Sequence, residues 1–71
     1  MTTQESNDLS DRIVELLRKI RLPLSANEIK GHLGESIVDV TIALARLEQT
    51  GDIVSEVAGI RARRYYKVAK L

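Results

Sequence analysis

Arg61, Arg63, Arg64, Lys67 and Lys70 crowd the stretch from Ala58 to Leu71, which contains no acid. Guanidinium groups present paired donors that match phosphate oxygens, so this stretch carries chemistry for an anionic partner. The rest of the chain does not share it. Leu24 to Val57 holds six acids against two bases, and Met1 to Pro23 holds four of each. The formal net charge of +1 therefore conceals a positive C-terminal segment. Charges also protect an edge strand from aggregation. Five bases without an acid exceed that need and point to a polyanion backbone.

Other chemistries find little support. The chain has no cysteine, which removes disulfides, thiolate nucleophiles and thiolate metal sites. His32 is the only histidine. Glu28 lies one turn before it, but two ligands without a third make a poor metal site, and His32 reads as a surface residue. Gly31 and Gly34 lack the Lys-Ser/Thr ending of a phosphate-cradling loop. No Ser-His-Asp order is suggestive. Neither an enzyme nor a cofactor or metal is expected. The apolar runs are too short for a membrane span, and the polar Met1–Asp8 start has no signal core. A cytoplasmic location is the expectation.

The basic segment must be positioned by something, and the preceding residues spell out how. Seventy-one residues allow one core, which must be aliphatic because Tyr65 and Tyr66 are the only aromatics. Leu9, Ile13, Leu16, Leu17 and Ile20 recur at helical spacing and predict a first helix over Asp8–Arg21, stopped by Pro23. Residues 1–7 read as a flexible polar arm, and 8–71 as the domain. Leu24 is placed to bridge a later hairpin. Ser25 and Glu28 have capping-box spacing and open a helix over Ala26–Leu33. Gly31 weakens that helix and suggests the close approach of another. Gly34 and Glu35 form a turn. Ser36 and Asp39 repeat the capping pattern, opening a helix over Ile37–Thr50 with Ile37, Val40, Leu44 and Leu47 inward. Gly51 ends it. A hairpin then pairs Ile53–Val57 with Ala62–Val68. Alternation puts Tyr66 and Val68 on the core and leaves Tyr65 exposed.

The segments Leu24-Ser25-Ala26-Asn27-Glu28-Ile29, Val40-x3-Leu44-x2-Leu47-Glu48-x2-Gly51-x-Ile53 and Arg64-Tyr65-Tyr66-Lys67-Val68 together resemble a winged helix-turn-helix domain. The similarity is to the small transcription regulators of bacteria and archaea. It covers Asp8 to Val68. It implies an α+β fold of three helices with a two- to three-stranded antiparallel wing, in the order helix, strand, helix, helix, strand, strand.

The resemblance also implies a function: double-stranded DNA binding by a transcriptional regulator, with the third helix in the major groove and the wing on the backbone or minor groove. The matching positions are Ser36, Thr41, Ile42, Ala45, Arg46 and Gln49 on the helix, with Arg61, Arg63, Arg64 and Lys67 on the wing. Helix one, or the Tyr65 face, would pair two subunits of a homodimer. A second reading rests on Val38, Ile42 and Ala45, an outward aliphatic row that either meets thymine methyls or docks a protein. The C-terminal domain of the middle subunit of replication protein A is a similar winged helix used for protein partners. Such a module would serve a replication, transcription or repair assembly. Z-DNA-binding domains are similar in outline. They use an Asn and a Tyr where this chain has Thr41 and Ala45, together with a Pro-Trp wing that it lacks.

Overall fold

A computed structural model describes residues 2–69, with side chains from Leu9 onward; Lys70 of the basic segment lies outside the described residues. Three helices, α1 (Thr2–Ile20), α2 (Ala26–Leu33) and α3 (Ile37–Thr50), precede a hairpin of β1 (Ile53–Ala58) and β2 (Arg63–Val68). The winged helix-turn-helix order and the α+β class stand as expected.

Local chemistry sets the element ends. The Ser25 hydroxyl accepts from the Glu28 N–H while the Glu28 carboxylate accepts from the Ser25 N–H, closing the capping box. Ser36 accepts from the Asp39 N–H at the start of α3. Gly34 ends α2 at φ 67°, a left-handed conformation that glycine adopts without steric cost. Arg12 of α1 donates to the Leu33 carbonyl and pairs with Glu35 at 2.8 Å, tying α1 to the turn between α2 and α3.

The core draws on every element. Ile13 and Leu17 of α1, Ile29 of α2, Val40, Ala43, Leu44 and Leu47 of α3, and Ile53 and Val68 of the hairpin are all buried. Tyr66 packs against this cluster. Leu24 joins the sheet through one antiparallel bridge. It exchanges bonds with Tyr66 at 3.0 and 2.8 Å, the one-residue bridge expected from the sequence, while the sheet itself is two-stranded and not three-stranded.

Several local expectations are corrected. α1 begins at Thr2, not Asp8; the Thr2–Asn7 sequence contains no helix breaker. It ends at Ile20, with Arg21 left-handed at φ 63°. β1 runs one residue longer, to Ala58, and β2 starts at Arg63 because Ala62 belongs to the turn. Ile37 is exposed at the N-terminal end of α3, one turn before buried Val40. Tyr65 is half-buried, not exposed: Glu56 stands opposite, and a ring this large is partly covered by its strand neighbours.

No neighbouring helix closes on Gly31. A Cβ at that position would meet nothing within 4 Å, and nothing in the structure explains the glycine. Gly31→Ala is therefore expected to stabilise the fold by up to about 1 kcal/mol, seen as a higher urea midpoint with an unchanged slope. In the opposite direction, Ile29→Ala is expected to destabilise it by about 2–5 kcal/mol.

Candidate nucleic-acid interface

The register of the hairpin decides where each wing cation points. Ile53 pairs with Val68, Ser55 with Tyr66 and Val57 with Arg64, so these six side chains share the face that meets the core. Val54, Glu56, Ala58, Arg63, Tyr65 and Lys67 occupy the other face.

Arg64 is engaged on the inner face. It donates to the Ser55 hydroxyl at 3.0 Å, and Ser55 donates to the Glu48 carboxylate of α3 at 2.7 Å. This relay joins the wing to the helix. On α3, Val38, Thr41, Ala45 and Glu48 follow at three- and four-residue spacing and so form one row along the helix. Because Glu48 touches Ser55, the exposed row leads onto the inner face of the wing. The helix and the hairpin present one continuous surface, with Arg64 at the seam.

The expected site residues divide accordingly. Ile42, Ala45, Arg46 and Gln49 are exposed on α3, where the sequence reading put them. Ser36 is exposed; its hydroxyl oxygen accepts as the α3 cap, and its proton is left to donate. Thr41 donates its hydroxyl to the Ile37 carbonyl at 2.7 Å, so it retains only acceptor capacity toward a partner. Lys67 lies on the outer face and pairs with Glu56 at 3.7 Å; both groups are more than half exposed, so the pair is weak. Arg61 and Arg63 are exposed and have no hydrogen bond or ion pair among the described residues. Two wing cations are thus partnered and two are available. Ser55 and Glu48 were not singled out from the sequence. Alternation along the hairpin puts Ser55 on the Arg64 face, but the rotation of α3 that brings Glu48 there has no local sequence signal.

The hairpin tip is a four-residue turn, Gly59–Ala62, closed by the Ala62 N–H donating to the Gly59 carbonyl at 3.1 Å. Gly59 takes φ 85° and Ala62 takes φ 53°. The second value is unusual for a residue with a Cβ. Ile60 stands between them, fully solvent-exposed.

Hairpin, helix pair and third helix together define a winged helix-turn-helix domain. No protein-family model and no curated protein sequence matches the chain. Among solved structures it is similar to the apo Zα domain of zebrafish PKZ, with a TM-score of 0.83 and 17% identity. That likeness covers 93% of this chain and 98% of the other. It is also similar to HOP2 in a structure concerned with DNA recognition, protein interaction domains and homologous DNA pairing. There the TM-score is 0.74 and the identity 26%, over 84% of this chain and 97% of the other. The likeness to bacterial and archaeal regulators has no counterpart in these two neighbours. Among the described residues, no helix is long and apolar enough to cross a membrane, and no cluster of three potential metal ligands occurs.

Relieving the left-handed alanine gives a direct check on the tip. Ala62→Gly is expected to raise stability by about 0.5 kcal/mol, since glycine adopts this φ without a Cβ clash but has more freedom to lose on folding. Chemical denaturation of the two proteins side by side measures it.

Proposed function

We propose that the chain is a non-enzymatic, double-stranded DNA-binding domain that acts in transcription regulation. α3 enters the major groove and the wing grips the adjacent backbone or minor groove. The observation that carries this reading is the continuous surface from the Val38–Thr41–Ala45–Glu48 row across Ser55 to Arg64, with Arg61 and Arg63 unpartnered farther along the hairpin. The fold neighbour HOP2, described for DNA recognition, supports it. Ile42, Ala45, Arg46 and Gln49 meet base edges, Ser36 donates its free hydroxyl proton to a phosphate, and Thr41 meets a thymine methyl. Lys67 adds charge once its weak bond to Glu56 yields. α1 or the Tyr65 face pairs two copies into a homodimer.

A second reading keeps a specific observation. Val38 and Ile42 are 63% and 51% exposed, and with Ala45 they form an aliphatic row suited to a protein partner in a replication, transcription or repair assembly. Ile42→Glu separates the two, because the position is exposed and the change leaves the core intact. It weakens duplex binding if α3 lies in the groove. It spares duplex binding and removes a protein partner under the second reading.

Salt dependence tests the wing. Each phosphate neutralised contributes about 0.9 to the slope of log affinity against log salt. Replacing Arg61 and Arg63 together by Ala should weaken duplex binding and lower the slope magnitude by nearly 2. Arg64→Ala should lower it less, because one cation is removed in place of two. Electrophoretic shifts from low to moderate salt measure both. Unchanged affinity in the double variant would remove the wing from the interface.

A further inference from the structure

The wing tip is built against the usual chemistry of turns. Gly, Pro, Asn, Asp and Ser dominate such positions. Here the tip reads Gly59-Ile60-Arg61-Ala62, with a β-branched aliphatic at the apex and an alanine held left-handed. Ile60 has a relative exposure of 106%, whereas no other exposed large aliphatic passes 64%. It contributes nothing to the core, and a polar residue would serve the turn better. A local conflict of this kind that persists is a candidate for function.

We propose that Ile60 is an apolar wedge that inserts into a base step of the duplex from the minor groove, with Arg61 beside it in the groove, so that the bound duplex is kinked. The proposal rests on the duplex-binding reading given above and extends it to a mode of recognition. Isoleucine is among the side chains that partly unstack a base step from the minor groove. Its β-branching restricts χ1, so little rotamer freedom is lost on insertion.

The ribbon behind it is suited to drive a wedge. Six residue pairs form the ladder, the root is fixed by buried Ile53 and Val68, and the Ala62-to-Gly59 bond closes the tip. Seven residues separate Ile53 from Ile60, a span of roughly 20 Å at strand rise. Half a turn of duplex, the step from one groove to the next on the same side, is roughly 17 Å. A hairpin beside a helix in the major groove therefore reaches the neighbouring minor groove.

Charge identifies the occupant. Arg61 adjoins Ile60, Arg63 follows, and no acid occurs after Glu56. An aliphatic apex flanked only by cations matches a polyanion with an apolar interior, and a stacked duplex is one.

The test uses a short duplex with TA steps, which unstack readily, in which 2-aminopurine replaces the adenine of each step. Its emission rises when the base unstacks. Saturating full-length chain is expected to raise the emission. Ile60→Ala should give a rise at least twofold smaller at saturation, and Ile60→Met should keep most of it. Both variants should retain the circular dichroism of the parent, since the side chain touches no core residue. Binding without an emission rise in the parent, or an equal rise in Ile60→Ala, overturns the wedge and leaves duplex binding standing. Absence of duplex binding by the parent at low salt overturns the underlying reading, and the wedge with it.

Discussion

At the root of the hairpin, Ile53 and Val68 lie opposite each other and both are buried. Their burial holds the register, because a slip of one residue in either strand would carry its side chain out of the core. It would also exchange the faces of Arg63 and Arg64. The distribution of wing cations therefore follows from two aliphatic side chains distant from them. Leu24 reinforces the same register by clamping Tyr66 from the other edge. Ile13, Leu17, Ile29, Val40 and Leu44 complete a core in which no aromatic is fully buried, so α3 is oriented by the fit of branched aliphatics.

With register fixed, the four wing cations take different roles. Arg64 is held through Ser55 to Glu48, which limits its freedom and sets the angle between wing and α3. A preorganised guanidinium loses less entropy when it meets a phosphate. Glu48 is the counterpart of this arrangement. Its carboxylate is exposed, and its charge is offset by accepting from Ser55 beside the Arg64 guanidinium. Arg61 and Arg63, on the outer half of the hairpin, lack such restraint and suit a partner whose exact position varies.

The parts of this architecture that were legible in the sequence were those written in local chemistry. Ser25 with Glu28, Ser36 with Asp39, and the glycines at 34 and 51 delimit α2 and α3 to the residue, because caps act within one turn. The Leu24 bridge followed from Pro23 ending α1. What escaped depends on relations across the chain. Periodicity marks the buried face of α1 and not its helical extent, so its start at Thr2 lay beyond the pattern. Ile37 obeys the spacing of α3 but falls past the edge of the core, and Tyr65 draws cover from its neighbours. Gly31 shows the reverse error: a residue type that often signals close packing stands in open space. For the candidate site, the exposed positions on α3 and the basic wing were readable. The relay from Arg64 through Ser55 to Glu48 was not, because it requires the rotation of α3 against β1.

The placement of charge constrains how such a surface would choose its ligand. α3 carries a single cation, Arg46, against Asp39 and Glu48, so the helix draws little phosphate attraction of its own. In a duplex complex the wing supplies that attraction, and the helix follows where the wing leads. The groove-facing side chains would then be aliphatic Val38, Ile42 and Ala45 beside Arg46 and Gln49. Contacts with thymine methyls discriminate less than the bidentate hydrogen bonds that read guanine or adenine. Selectivity in such an arrangement would combine hydrogen bonds from Arg46 and Gln49 with how readily the duplex deforms around the ribbon. Flexible pyrimidine–purine steps would be favoured over stiff tracts of equal charge.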